Sequence, residues 1–137
     1  VSRLLLVAKE QSVFSSIVPV IEEKGGDIHW ADSGEQAISA IGRKAMDAIV
    51  VDEKLEDTTG LALIEKIVSV NPMINSALVS SLNEKAYHEA SEGLGILMQL
   101  PPEPKETDGR RLMSKLNQIL GFTTSVADES KSPSPHS

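Results

Sequence analysis

The spacing of apolar residues changes repeatedly along the chain. Residues 3–8 (RLLLVA) form a nearly unbroken apolar run, the pattern of a strand covered on both faces. Over residues 12–24 the apolar positions Val13, Phe14, Ile17, Val18 and Ile21 recur at three- and four-residue steps, which predicts one face of a helix. Pro19 falls inside that stretch and should kink it, because it lacks a backbone donor and crowds the preceding turn. Gly25-Gly26 should end it. Residues 27–31 (DIHWA) read as a second strand. Ser33 followed by Gln36 is a capping-box pattern that opens a second helix carrying Ala37, Ile38 and Ile41.

The same alternation continues. Residues 47–52 (DAIVVD) predict a third buried strand ended by a carboxylate. Residues 60–70 carry Leu61, Ile64, Ile67 and Val68 at helical spacing, with Asn71-Pro72 as the break. A fourth strand is expected over 74–80, a helix over 83–92 and a fifth strand over 95–99, stopped by Leu100-Pro101-Pro102. Thr107 should cap a last helix that buries Leu112, Met113, Leu116, Ile119 and Leu120 and closes at Gly121. Five apolar strands alternating with five helices imply an α/β domain with a parallel sheet covered on both faces. Such sheets carry their functional groups just past the carboxyl ends of the strands. Here that means the residues after Ala8, Asp52, Ser80 and Gln99.

The segment following Asp52 makes this pattern specific. DAIVVDEKLEDTTGLALIEKI resembles the phosphoacceptor segment of response regulator receiver domains, in which an Asp ends the third strand and a Gly eight residues later opens the third helix. Asp52 and Gly60 match both positions. The resemblance covers residues 3–120 and implies a flavodoxin-like three-layer sandwich, with five parallel strands and five helices. It also implies a site: Asp52 as phosphoacceptor, a Mg²⁺ held by an acidic pair after the first strand, a Lys after the fifth, and a Ser/Thr after the fourth.

This sequence departs from that site in several places. The acidic pair is replaced by Ala8 and Lys9, with Glu10 one place later, and Lys9 puts a cation where a dication would sit. The Lys-Pro step after strand five becomes Leu100-Pro101. The hydroxyl position is kept as Ser80, with Ser81 beside it. Leu97 takes the aromatic switch position, Glu56 replaces the loop proline, and Lys54 lies two residues past Asp52. Two readings of Asp52 stay open: a phosphoacceptor with an unorthodox metal site, or a structural carboxylate paired with Lys9 or Lys54. No metal or cofactor is expected unless Asp52 takes phosphate, in which case Mg²⁺ is. A small-molecule binder reusing the same crevice is a third reading that no residue specifically supports.

Composition narrows the functions further. The 137 residues are 40% hydrophobic but only 3% aromatic, so the core must be aliphatic. No apolar run approaches the ~20 residues that span a bilayer, so no membrane contact is expected. A net charge of −7 with no basic stripe argues against a nucleic-acid partner for this domain. The absence of Cys removes thiolate chemistry and fits a cytoplasmic setting. His29, His88 and His136 are scattered without metal-ligand spacing, and no nucleophile elbow or phosphate loop is present, so no enzyme activity is expected. Signalling by protein contact is the expected function. Through the resemblance, its surface would draw on Tyr87, Leu97, Leu100, Arg110, Arg111 and Met113. The partners implied are a histidine kinase, an output domain in a longer parent chain, or a second copy. Residues 1–121 should form the receiver-like domain, and the Ser/Pro-rich residues 122–137 a mobile tail or linker.

Overall fold

The five apolar runs pair into one parallel sheet: β1 (Ser2–Val7), β2 (Gly26–Ala31), β3 (Ala48–Val51), β4 (Asn75–Val79) and β5 (Met98–Leu100). The order across the sheet is β2-β1-β3-β4-β5. The structure is a computed structural model and describes residues 2–131. Because successive side chains in a strand point to opposite faces, the register sorts each apolar run into two cores. Leu4, Leu6 and Val50 join Phe14, Ile17, Leu112 and Leu116 on one side. Leu5, Val7, Ile49 and Val51 join Ala37, Leu63 and Ile64 on the other. The first face is covered by α1 (Val18–Glu23), which adds Ile21 just after Phe14 and Ile17, and by α5 (Glu106–Lys131). The second face is covered by α2 (Gly34–Arg43), α3 (Gly60–Val70) and α4 (Glu84–Ser91), the last through Tyr87. The expected flavodoxin-like three-layer sandwich is therefore present.

The cap expected at Ser33 is present, and two more helices are capped in the same way. Ser33 Oγ accepts from Gln36 N at 3.1 Å, Thr59 Oγ1 from Ala62 N at 3.2 Å and Asn83 Oδ1 from Ala86 N at 2.9 Å, each satisfying an orphan donor of a first turn. At the start of α5 the cap differs from expectation. Asp108, not Thr107, reaches back to accept from Lys105 N at 2.8 Å.

Three further elements depart from the sequence reading. The kinked helix over 12–24 is two pieces, a 3₁₀ turn at Gln11–Phe14 and then α1, with Pro19 in its first turn. Proline is tolerated there because that position has no intrahelical acceptor to lose. The last strand begins at Met98 rather than residue 95, since Gly95 turns at φ +65 and keeps the chain out of extended geometry. Finally, α5 does not close at Gly121 but continues to Lys131, 26 residues in all. A glycine weakens a helix by ~1 kcal/mol without forcing a stop. The rest of the expected tail, 132–137, lies outside the described residues.

Candidate functional site

The strand order reverses between β1 and β3, and the crevice above that switch is where such sheets place their chemistry. Four of the five strands deliver a residue to that edge. Ala8 N donates to Ala31 O at 3.1 Å, Asp52 N to Val7 O at 2.9 Å, and Ser80 N to Leu100 O at 3.0 Å. These bonds fix Ala8, Asp52 and Ser80 one step beyond their strands. Pro101 follows β5 on the same edge.

Asp52 is half-buried, and its Oδ1 accepts from Glu53 N at 2.9 Å. Burial pushes its carboxyl above the usual carboxylate range. The hydrogen bond from Glu53 works against this, and the Glu53 charge adds to it. Among the described residues no ion pair reaches Asp52, so the structural reading that paired it with Lys9 or Lys54 is corrected. Both lysines are exposed, and a hydrated ammonium gains little by immobilising its long stem for one contact. Lys54 takes part in the loop only through its backbone, bridged to Thr59.

The remaining positions do not suit a divalent cation, which needs several oxygen ligands. Ala8 is 1% exposed and belongs to the core, Lys9 is positive, and Glu10 points into solvent without a hydrogen bond to the site. Among the described residues no three acidic or histidine side chains converge on one point. Leu100 is also corrected. Expected as an apolar surface residue, it is 0% exposed and packs in the cluster with Leu112 and Met113.

The structure adds three residues that the sequence reading passed over. Glu53 Oε1 accepts from Ser81 N at 2.9 Å and from Ser81 Oγ at 3.0 Å, joining the loop after β3 to the loop after β4. Gln99 Nε2 donates to Ser80 O at 3.1 Å and to Leu82 O at 3.0 Å, holding the same loop from the β5 side. Asp57 accepts from Gly34 N at 2.8 Å and Glu35 N at 3.1 Å, anchoring the loop after β3 to the first turn of α2. Only Asp57 had a sequence signal: a carboxylate suits a helix N-terminus, but nothing in the chain says which helix.

The Asp57 carboxyl is held below its ordinary value of 3.8, first by the Gly34 hydrogen bond. A depressed carboxylate contributes stability that is present above its unfolded range and lost as pH falls through the folded value. Thermal melts of the parent and Asp57→Asn are therefore expected to differ at neutral pH, with the parent higher. The gap should close below the carboxylate range, and a pH-independent gap would contradict the anchor.

The face formed by α4, β5 and α5 holds a groove of about 830 Å³, bordered by Glu84, His88, Glu92, Leu97, Gln99 and Arg111. Of the surface residues expected there, Leu97 is half-buried and Arg110 and Arg111 are exposed. Met113, at 1% exposure, is turned inward and cannot form the contact surface expected of it, whereas Tyr87, largely buried, still borders the groove. Met113 shares the inward face of α5 with Leu112 and Leu116, because residues one and four apart on a wide apolar stripe both reach the core.

The profile of the response regulator receiver domain matches residues 4–117. The chain belongs to that family. It is 26% identical over 121 residues to the "Uncharacterized transcriptional regulatory protein YesN" of Bacillus subtilis (strain 168), covering 86% of this chain and 32% of that protein. It is 31% identical over 78 residues to the "Probable transcriptional regulatory protein TcrX" of Mycobacterium tuberculosis, covering 56% and 33%. This receiver thus spans about a third of the length of the curated relatives it matches. Its fold is similar to that of a CheY-like receiver domain protein from Methanospirillum hungatei JF-1, with TM-score 0.74, 20% identity, and 91% and 98% of the two chains covered. It is also similar to NtrX from Brucella abortus, with TM-score 0.77, 17% identity, and 93% and 29% covered. No helix among the described residues is long and apolar enough to cross a membrane.

Proposed function

We propose that this receiver signals by protein contact through its α4–β5–α5 face, without Mg²⁺-dependent phosphorylation of Asp52. The observation that carries this reading is the edge of the sheet itself. Ala8 and Lys9 replace the oxygen ligands a dication needs, and Leu100 is a core residue with no charge to offer a phosphoryl group. The domain then acts as a signalling module and not as an enzyme. Its partner is a histidine kinase, an output domain of a longer parent chain, or a second copy. The half-buried Leu97 and the exposed Arg110 and Arg111 remain at that face for such a contact. The net charge of −7 supports a protein rather than a nucleic acid as its partner, and a cytoplasmic location suits both.

A second reading is favoured by one specific observation: among the described residues no ion pair occupies the half-buried Asp52 carboxylate at the strand end. On this reading it accepts a phosphoryl group from a histidine kinase. Incubation of the folded chain with acetyl phosphate and Mg²⁺, followed by intact mass measurement, separates the two. No adduct on the parent is expected. A rapid Mg²⁺-dependent adduct that is absent from Asp52→Asn would overturn the first reading and establish the second.

A further inference from the structure

The loop between β4 and α4, residues 80–83, is tied down to an unusual degree for an exposed connection. Ser80 N donates to Leu100 O at 3.0 Å, which is the last bond of the sheet. Ser81 then gives both its donors to one oxygen of Glu53, from the neighbouring strand end. Leu82 N donates to Ser80 Oγ at 3.2 Å, which closes a tight turn inside the loop. From the opposite side Gln99 Nε2 holds the carbonyls of Ser80 and Leu82 together. Asn83 then starts α4 by accepting from Ala86 N and, through its carbonyl, from Tyr87 N at 2.8 Å. The loop is gripped by an anion on its β3 side and by an amide on its β5 side, and it leads directly into the helix that borders the groove.

A carboxylate accepting two donors at one oxygen makes charge-assisted bonds, stronger than neutral ones. Glu53 follows Asp52 in the chain, so a carboxylate already reaches the loop from the strand end that carries Asp52. Leu82, a large apolar side chain left 45% exposed, is displayed by the turn that these bonds create.

We propose that Glu53 is a resident anion that fixes the β4–α4 loop and sets the arrangement of the α4–β5 face, so that this face needs no added group to be presented. This inference rests on the reading that the face is the contact surface, and it names what holds that face in one state. Gln99 is the second half of the clasp. Loss of either half releases the loop between 80 and 83, while the sheet and both cores, to which neither side chain contributes, stay in place.

Amide hydrogen exchange on the full chain reads this directly. Glu53→Ala should accelerate exchange at the Ser81 and Leu82 amides at least tenfold and shift the NMR resonances of residues 82–87. Amides of β1 and β3 should be unchanged. Glu53→Gln keeps an acceptor oxygen and should retain most of the protection. Gln99→Leu tests the other half independently of any effect of Glu53→Ala on folding, and should accelerate the same two amides. Unchanged exchange and resonances at 81–87 in both Glu53→Ala and Gln99→Leu would overturn the clasp. The result is independent of the phosphodonor experiment: a loop released by Glu53→Ala in a chain whose Asp52 is readily phosphorylated would uphold the clasp and overturn only the phosphorylation-independent function.

Discussion

Replacing Leu100 by alanine is expected to lower the free energy of unfolding by about 3 kcal/mol, inside the ~2–5 kcal/mol range for truncating a buried leucine. The side chain is 0% exposed and sits at the end of β5 among Phe14, Ile17, Leu112 and Leu116. Removing its three outer carbons forfeits their transfer energy. It also leaves a cavity that a sheet edge and two helices cannot easily collapse into. Urea unfolding should show a lower midpoint with an unchanged slope, the mark of lost stability without a change in the surface exposed. A loss below about 0.5 kcal/mol, as for an ordinary surface substitution, would return Leu100 to the exterior and reopen its candidacy as a contact residue. The result bears on function because the same position would supply the charged partner of a phosphoryl group in the family pattern. A residue that the core requires as leucine is not a pocket residue waiting for a ligand.

Gly60→Val should cost about 3 kcal/mol, at the upper end of the ~1–3 kcal/mol typical of overpacking. Gly60 opens α3 where the helix returns to the end of β3, and its N–H donates to Glu53 O at 2.9 Å. A Cβ there would overlap the backbone carbonyl oxygen of Asp52 and lie 2.8 Å from Leu78 Cδ1. The first obstacle is backbone and cannot rotate away. Relief requires moving the start of α3 or the strand end that carries Asp52, so the substitution should disturb the candidate site as well as the fold. Urea unfolding gives the energy, and the backbone resonances of Asp52 and Glu53 report the displacement. A variant of parental stability with both resonances in place would show that the helix start is freer than this packing implies.

The two glycine-related features were not equally legible. The eight-residue step from Asp52 to Gly60 could be read from the sequence, and the resemblance to receiver domains rested on it. That the step reflects close approach to a carbonyl could not be read, because it depends on how β3 and α3 meet. The same division runs through the site. Asp52, Ser80 and Ala8 were found because an apolar run ends where its strand ends, and strand ends share one edge of a parallel sheet. The Glu53–Ser81 and Asp57–Gly34 bonds join residues 28 and 23 positions apart, and no local pattern encodes such pairs.

Burial separated the rest. The helical stripe Leu112, Met113, Leu116 marks which face of α5 is apolar, but the resemblance places Met113 and Leu100 at a contact surface and the structure buries both. Whether an apolar residue at the rim of a stripe is core or surface depends on the width of the partner layer, which only the assembled sandwich supplies. Pro19 was expected to kink a helix over 12–24; it lies instead in the first turn of α1, a place set by where the 3₁₀ turn at Gln11–Phe14 delivers the chain.

By itself the sequence determined the order and type of the elements, the parallel sheet and the edge that carries the site, because periodicity and caps are local and each element must bury its own apolar face. The tertiary structure decided which charges are paired, which apolar side chains face solvent, and that the loop after β4 is held by Glu53 and Gln99. Those outcomes depend on distances between residues far apart in the chain, and such distances exist only once the layers have packed.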